Sequence, residues 1–468
     1  MRLKNRLSAC FLAVAAVLSA HALEVSVGPG EDATRRIQES IDKVWGAGGG
    51  RVSIKAGSYE VKGMRLRSGV ELHLEAGATL LASRDPADYF ILAADRLEPL
   101  PQAELEDIPF VSPVNRPDDP LRFLSVAGSR WNNAIIRAYG ARDVAVTGEP
   151  GSVIDGRNGY DPKGEEGYRG VHGFSFFHCT NVLFRGYTVR HSGNWHHRLE
   201  KCVRVRCEKV TALGGHDGFH ARSSDDLVIC DCWFHTGDDS IAGQDNVNVR
   251  ISRCDLSSAC SAIRFGGRNV LIEDCTAAGP CEYVFRGLVP PQAKRDGVWD
   301  PALLPSARRS MATFFLYMCD HTVTTRNPPG NIVIRNCRVR NAARFLRYNF
   351  GGETWQKAHP LADITFENCE ATGLRLPLAA NGGTADGSAR PLDLTLRNCD
   401  LAFDVPVGEF VSCANVKTVR LENVEVKAAS RIPAVRTWSG TPELVCRDVR
   451  GLDLSVAKGE GVYRCPAR

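Results

Sequence analysis

A short pattern recurs along the chain: a polar residue, alternating apolar positions, then a cysteine six places after the start. It reads Asp226-Leu-Val-Ile…Cys232, Asn248-Val-Arg-Ile…Cys254 and Asn269-Val-Leu-Ile…Cys275. It returns as Asn331-Ile-Val-Ile…Cys337, Asp363-Ile-Thr-Phe…Cys369 and Asp393-Leu-Thr-Leu…Cys399. Weaker copies begin at Asn181, at Lys201 (with Cys207) and at Thr418, and successive starts lie 20, 25, 22, 21, 62, 32, 30 and 25 residues apart. Alternation with period two marks a strand. Recurrence at this spacing, with no helical periodicity inside the unit, marks a solenoid. The predicted fold is all-β, a single-stranded parallel β-helix with one coil per repeat.

That geometry sets the expectation for the cysteines. Seven of them share one position in the coil, so successive coils stack them inward, about 4.8 Å apart. Parallel side-chain vectors do not give a disulfide its dihedral near 90°. They are therefore expected as free thiols acting as small hydrophobes, with paired disulfides as the alternative. The N-terminal stretch 32–45 reads as a short amphipathic helix with Asp or Thr at its start, suited to cover the first coil. The glycines from Gly46 to Gly50 end it, and Arg51-Val-Ser-Ile and Val70-Glu-Leu-His-Leu begin the coils. Two insertions interrupt the stack, at about 85–130 and about 287–330, and long insertions on a rigid stack build the walls of a groove.

Composition narrows the class. With 24% charged and 43% hydrophobic residues among 468, the chain is neither disordered nor fibrous. The 44 glycines and 24 prolines favour many turns and short strands. A formal charge of +4 is too small to suggest nucleic acid. Residues 1–22 read as a secretory signal: Arg2, Lys4 and Arg6, an apolar run from Leu7 to Ala20, and Ala20-His21-Ala22 as the cleavage site. Leu7-Ser8-Ala9-Cys10 precedes the apolar run, which argues against a lipid anchor. No later segment reaches the ~18 apolar residues of a membrane span. A secreted or periplasmic protein, with residues 23–468 as one β-helical domain, is expected. It is expected as a monomer without membrane or nucleic-acid partners.

Phase within the coil separates structural acids from unusual ones. Asp226 sits at the polar start of a repeat, so Asp225-Asp226 reads as a turn pair. Asp238-Asp239 lies ten and nine residues before the start at Asn248, and nine before Asp226 stands Asp217, preceded by His216. Asp217 and Asp239 thus occupy equivalent points on consecutive coils. Like charges that close raise one pKa, and a shared proton gives an acid beside a base, as glycosidic cleavage needs. A Ca²⁺ site or exposed turn acids is the bland alternative. His191, His196, His197, His216, His220 and His235 cluster in the same region. Counted from the start at Lys201, Trp195 lies six residues before a repeat, as His220 does before Asp226, so the two are expected to flank one groove, the indole stacking on a sugar. No zinc spacing such as H-E-x-x-H occurs, so neither metal nor cofactor is expected.

Gly148-Glu-Pro-Gly-Ser-Val-Ile-Asp155-Gly156, His191-Ser192-Gly-Asn-Trp195, His216-Asp217-Gly218 and Gly237-Asp238-Asp239-Ser-Ile-Ala242 follow one another in the chain. In this order they resemble the landmarks of the polygalacturonase family, the family 28 glycoside hydrolases, over roughly residues 30 to 275. The resemblance implies a right-handed parallel β-helix and hydrolysis with inversion. By it, Asp238 protonates the leaving oxygen while Asp217 and Asp239 position and activate water. The chain departs from the family where Asn-Thr-Asp becomes Gly215-His216-Asp217 and Gly-His-Gly becomes Ala259-Cys260-Ser261. Of the family's Arg-Ile-Lys, Arg286 supplies at most the arginine, and Arg264 is a candidate replacement cation. His216, His220, Trp195, His196, Arg264 and Arg286 are the candidate substrate contacts. The expected substrate is a pectic or related uronate- or rhamnose-containing polysaccharide or oligosaccharide. A polysaccharide lyase on the same scaffold and a non-catalytic carbohydrate-binding solenoid are the rival readings.

Overall fold

A left-handed turn opens the repeat, and that turn breaks the chain into coils. Asn181, Arg204, Asp226, Asn248, Asn269 and Asn331 have φ of 57, 56, 56, 59, 57 and 52°. Asn and Asp tolerate this region because their short polar side chains bond locally. In the computed structural model Asn269 Nδ2 donates to Asn248 Oδ1 at 3.1 Å, and Asn331 Nδ2 to Asn269 Oδ1 at 3.0 Å. A second turn falls on the residue before the cysteine. Asn336, Asn368 and Asn398, and Asn423 before Val424 at the same point of the next coil, have φ of 51–54° and form a second amide ladder; each Nδ2 donates to the preceding coil at 2.9 to 3.1 Å.

The structure describes residues 23–89, 133–298, 302, 309–319, 328–353, 355–383, 392–440, 442–454 and 458–459. The expected signal segment 1–22 and nearly all of the 85–130 insertion lie outside them. The chain divides into two compact units, residues 1–233 with 286–303 and residues 234–285 with 304–468. Both are built from parallel strands paired coil to coil, and the fold is that of the right-handed parallel β-helices. Among the described residues no helix is long and apolar enough to cross a membrane.

In the first unit each coil has three faces. The first runs through Leu23–Val27, Gly50–Ile54, Val70–Leu74, Arg142–Gly148, Thr180–Arg185, Val203–Glu208 and Asp225–Cys230. The second includes Thr188–Arg190 and Thr211–Gly214. The third runs through Ala134–Tyr139, His172–Phe177, His197–Glu200 and Phe219–Arg222. The helix Ala33–Gly46 buries Ile37, Ile41 and Val44 against the first strands. Its Asp32 does not cap the backbone as expected; the carboxylate pairs with Arg35 Nε at 2.6 Å.

The second unit repeats the plan. Its first face continues through Gly330–Arg335 and Asp363–Glu367. Its third face runs from residues 241–243 through 261–265 to Met311–Tyr317, Ala342–Asn349, Leu378–Asn381, Val411–Ala414 and Val435–Thr437. The expected insertion at 287–330 is therefore interrupted: Met311–Tyr317 pairs with Ser261–Phe265 as a strand of the stack.

One register expectation fails. Thr180 pairs with Val203 and Val182 with Val205, and Val203 in turn with Asp225. The copy expected at Lys201 therefore begins at Arg204, and Cys207 stands opposite Ile229 within the strand, outside the cysteine column. From Asn248 onward the expected phase holds, since Val270 pairs with Ile332 and Ile332 with Ile364. The fifteen cysteines among the described residues are free. Thiol titration of denatured, unreduced protein is expected to release at least fifteen sulfhydryls per chain, out of 17 cysteines in the sequence; a value near zero would restore the disulfide alternative.

Candidate active site

Asp217 ends a glycine-rich turn ahead of the strand Phe219–Arg222. Gly215 in that turn has φ of 61°, and a Cβ there would meet His196 Nε2 at 2.8 Å, so glycine is required. The Asp217 side chain is fully buried, and its Oδ2 lies 2.6 Å from His220 Nδ1. Arg222 Nε donates to His220 Nε2 at 3.3 Å. A guanidinium only donates, so His220 Nε2 carries the lone pair and Nδ1 carries the proton donated to Asp217. Trp195 stacks on His220, with ring centroids 3.7 Å apart and planes 14° apart. Arg222 sits 5.1 Å from the indole centroid and the His172 ring 5.4 Å.

Those contacts correct two expectations. With the coil beginning at Arg204, Trp195 and His220 are not equivalent positions; His220 pairs with Arg198. Trp195 is also only 4% exposed. The indole clamps His220 and offers no open face to a sugar. His196 is likewise fully buried, its Nδ1 2.8 Å from Ser192 Oγ and its Nε2 3.0 Å from Gly214 O. Burial pushes its pKa down to about 3, so it is a neutral pin between turns.

Arg286 belongs to the same unit and is fully buried. Its two Nη donate to Gly193 O at 2.9 Å and Asn158 O at 2.8 Å, and burial pushes its pKa down to about 9. This arginine ties loops together. Beside it lies a group that carries no sequence motif, Tyr168, Glu165, Glu166 and Arg169, together with Asn194. Arg169 Nε bonds Glu166 at 3.1 Å, and Asn194 Nδ2 bonds Glu165 at 3.3 Å. Burial raises the pKa of Glu165 despite the neighbouring Arg169. The His216 ring, fully buried, lies 5.8 Å from Tyr168.

In the second unit Asp238 and Asp239 precede the strand Ile241–Ser252. Two hydroxyls fix the Asp238 peptide: Thr236 Oγ1 and Ser258 Oγ donate to its carbonyl at 2.9 and 2.6 Å. Asp239 is 2% exposed. Its Oδ2 pairs with Arg264 Nε at 2.5 Å, and its Oδ1 accepts the Ser261 N–H at 3.0 Å. Arg264 also lies 5.2 Å from the Trp355 ring centroid. Burial first, and the Asp238 charge after Arg264's opposing pull, hold the Asp239 pKa up at about 6. The pair titrates as a unit. Burial next to these acids also raises the Cys260 thiol.

The raised value has a consequence for stability. Between the ordinary 3.8 and about 6 the folded chain binds more protons than the unfolded one. Stability from this group is thus highest at low pH and falls as pH rises through that window. Asp238→Asn removes one cause of the shift. It is expected to raise the Tm above pH 6 by a few degrees, equivalent to ~1 kcal/mol, with no gain near pH 4. Calorimetric scans at both pH values check this; an equal gain at both would dismiss the charge coupling.

The fold and these carboxyl groups set the class in which to seek relatives. No protein-family profile matches the chain, and no curated protein matches its sequence. Solved structures do. A hyperthermoactive exopolygalacturonase from Thermotoga maritima is similar with a TM-score of 0.61 at 16% identity, covering 86% of this chain and 92% of that one. A family 28 exopolygalacturonase from Yersinia enterocolitica gives 0.55 at 16%, covering 90% and 79%. A polygalacturonase from Erwinia carotovora ssp. carotovora gives 0.52 at 15%, covering 86% and 96%. At such identities the likeness establishes the parallel β-helix.

Proposed function

We propose that the protein is a glycoside hydrolase that cleaves a pectic or related uronate- or rhamnose-containing polysaccharide with inversion, using Asp217, Asp238 and Asp239. The observation that carries this reading is the adjacent Asp238–Asp239 pair, in which burial of Asp239 holds its pKa up at about 6 beside Arg264. Glycosidic cleavage needs that combination of acid and base near neutrality. Coil length supports treating the three aspartates as one set. Register steps by 22 residues from His197 to Phe219 and again from Ile241 to Ile263, and the same step leads from Asp217 to Asp239.

In this mechanism Asp238 gives its proton to the glycosidic oxygen as the bond to the anomeric carbon breaks. Water attacks the opposite side of that carbon, and its proton passes to Asp217, with Asp239 orienting the water. Arg264 is spent on Asp239 and Arg286 on two backbone carbonyls. Neither sequence-nominated cation is thus dedicated to a uronate carboxylate. This favours a neutral sugar, such as a rhamnose, at the bond that breaks.

The test is a screen of purified protein against pectic and other plant and algal polysaccharides, with products followed by NMR. Hydrolysis with inversion gives a new reducing end whose first-formed anomer is opposite to the substrate's. An unsaturated product lost with chelator would instead establish the lyase, and retention without any cleavage the binding solenoid.

A further inference from the structure

The outer side of the third face in the second unit carries a feature that the proposed chemistry does not use. Strand residues there alternate between core and exterior: Leu378, Ala380, Val411, Cys413 and Val435 are buried, while Ala379, Asn381, Ser412, Ala414 and Arg436 are half-buried on the other side. Register runs from Arg347 to Ala379, Ser412 and Arg436, one coil at a time. Those side chains therefore make a row about 14 Å long. The middle two coils present only small groups, Ala379, Ser412 and Ala414, with Asn381 at the edge. The row is a shallow trough with larger side chains at its ends.

At one end the Trp438 indole is 56% exposed. It is nonetheless fixed: Nε1–H donates to Ser412 Oγ at 3.0 Å, and the Arg436 guanidinium lies 4.0 Å from the ring centroid. At the other end Arg347 Nε bonds Glu353 at 2.8 Å, and Asn381 Nδ2 donates to Asn349 at 3.3 Å. Arg436 has its own acid, Glu409, at 3.9 Å. Each cation stands beside an acid, so the trough has little net charge to attract a polyanion. It offers fixed donor–acceptor pairs flanking a flat apolar ring. Sugars match that chemistry, because hydroxyls donate and accept together while one face of a pyranose ring is all C–H.

We propose that this trough is a second carbohydrate-binding surface. An extended oligosaccharide lies along the coils, one ring stacked on Trp438, with hydroxyls of another held by Arg347, Glu353 and Asn381. Arg264, the partner of Asp239, stands two coils before Arg347 in the same row, so a chain seated here runs along the face that bears the candidate acid pair. The surface does not depend on the hydrolase reading.

The test uses full-length Asp238→Asn protein, which keeps glycans intact, titrated calorimetrically with size-graded neutral oligosaccharides of the galactan and arabinan type. Trp438→Ala is expected to weaken the longest oligosaccharides about tenfold, leave the shortest unchanged and keep the Tm. Ser412→Ala, which releases the indole N–H, is expected to weaken them less. Equal affinities with and without Trp438, or no binding of any probe by the parent, overturn the proposal. If Trp438-dependent binding is found but the wild type cleaves no glycan, the hydrolase reading falls and this one stands.

Discussion

Asp238→Asn is expected to lower glycan cleavage by about three orders of magnitude while leaving the fold intact. The size follows from what the side chain must do. A sugar alkoxide is a poor leaving group, and a carboxyl in a pair that gives up its proton only near pH 6 can neutralise it as the bond breaks. Asp239 is the poorer donor to substrate, because it is buried, its Oδ1 accepts the Ser261 N–H and its Oδ2 is ion-paired with Arg264. An amide at position 238 keeps the shape but has no acidic proton. It also removes a negative charge, so the variant should be more stable at neutral pH. That combination distinguishes a lost acid from a damaged fold. The check is initial-rate measurement of reducing ends, with circular dichroism on the same samples. Activity within tenfold of wild type would remove Asp238 from the acid role, and cleavage would then have to be assigned to another proton donor.

Much of the fold was legible because one residue type controls it. Asn248, Asn269 and Asn331 start their coils in the left-handed region, where Asn is favoured, so the polar residue marks the turn and fixes the phase. The rule fails where another residue takes the turn. Arg204 does so with φ of 56°, and Cys207, six places after Lys201, imitated the column and pulled the phase three residues early. Met311–Tyr317 was hidden for a different reason: its mostly apolar sequence lacks the Asn or Asp start and the alternation of the repeat. Three rungs of the second amide ladder, Asn336, Asn368 and Asn398, have the same residue type as the first and could have been found by asking what precedes each cysteine.

The candidate site was legible in its carboxylates and not in their support. Spacing marked Asp217, Asp238 and Asp239, because charge repeated at coil length is hard to explain otherwise. Burial is not written in spacing, so Trp195, His196 and Arg286 read as ligand contacts when the fold uses them as internal clamps. Glu165, Tyr168 and Arg169 lie on a loop with no motif, and only packing brings them beside His216. Ser258 and Ser261, which hold the acid pair, are two small residues among 468.

His220→Ala is expected to lower cleavage by one to two orders of magnitude through Asp217, without contact with substrate. Asp217 and His220 are both fully buried, and the 2.6 Å bond between them is charge-assisted; loss of such a bond costs about 1.5–3 kcal/mol. The tautomer matters as much as the distance. Arg222 donates to Nε2, which forces the proton onto Nδ1, and Trp195 holds the ring plane, so the carboxylate is presented in one orientation. Asn at 220 places an amide N–H near the position of Nδ1 and should recover part of the rate, whereas Phe keeps the stack with Trp195 and should recover none. A residue that merely packed would give the reverse order. Nitrogen NMR of the imidazole supplies a readout independent of catalysis, with Nδ1 protonated and Nε2 bare. An Nε2-protonated ring, or a Phe variant as active as wild type, would show that the histidine only fills space behind Asp217.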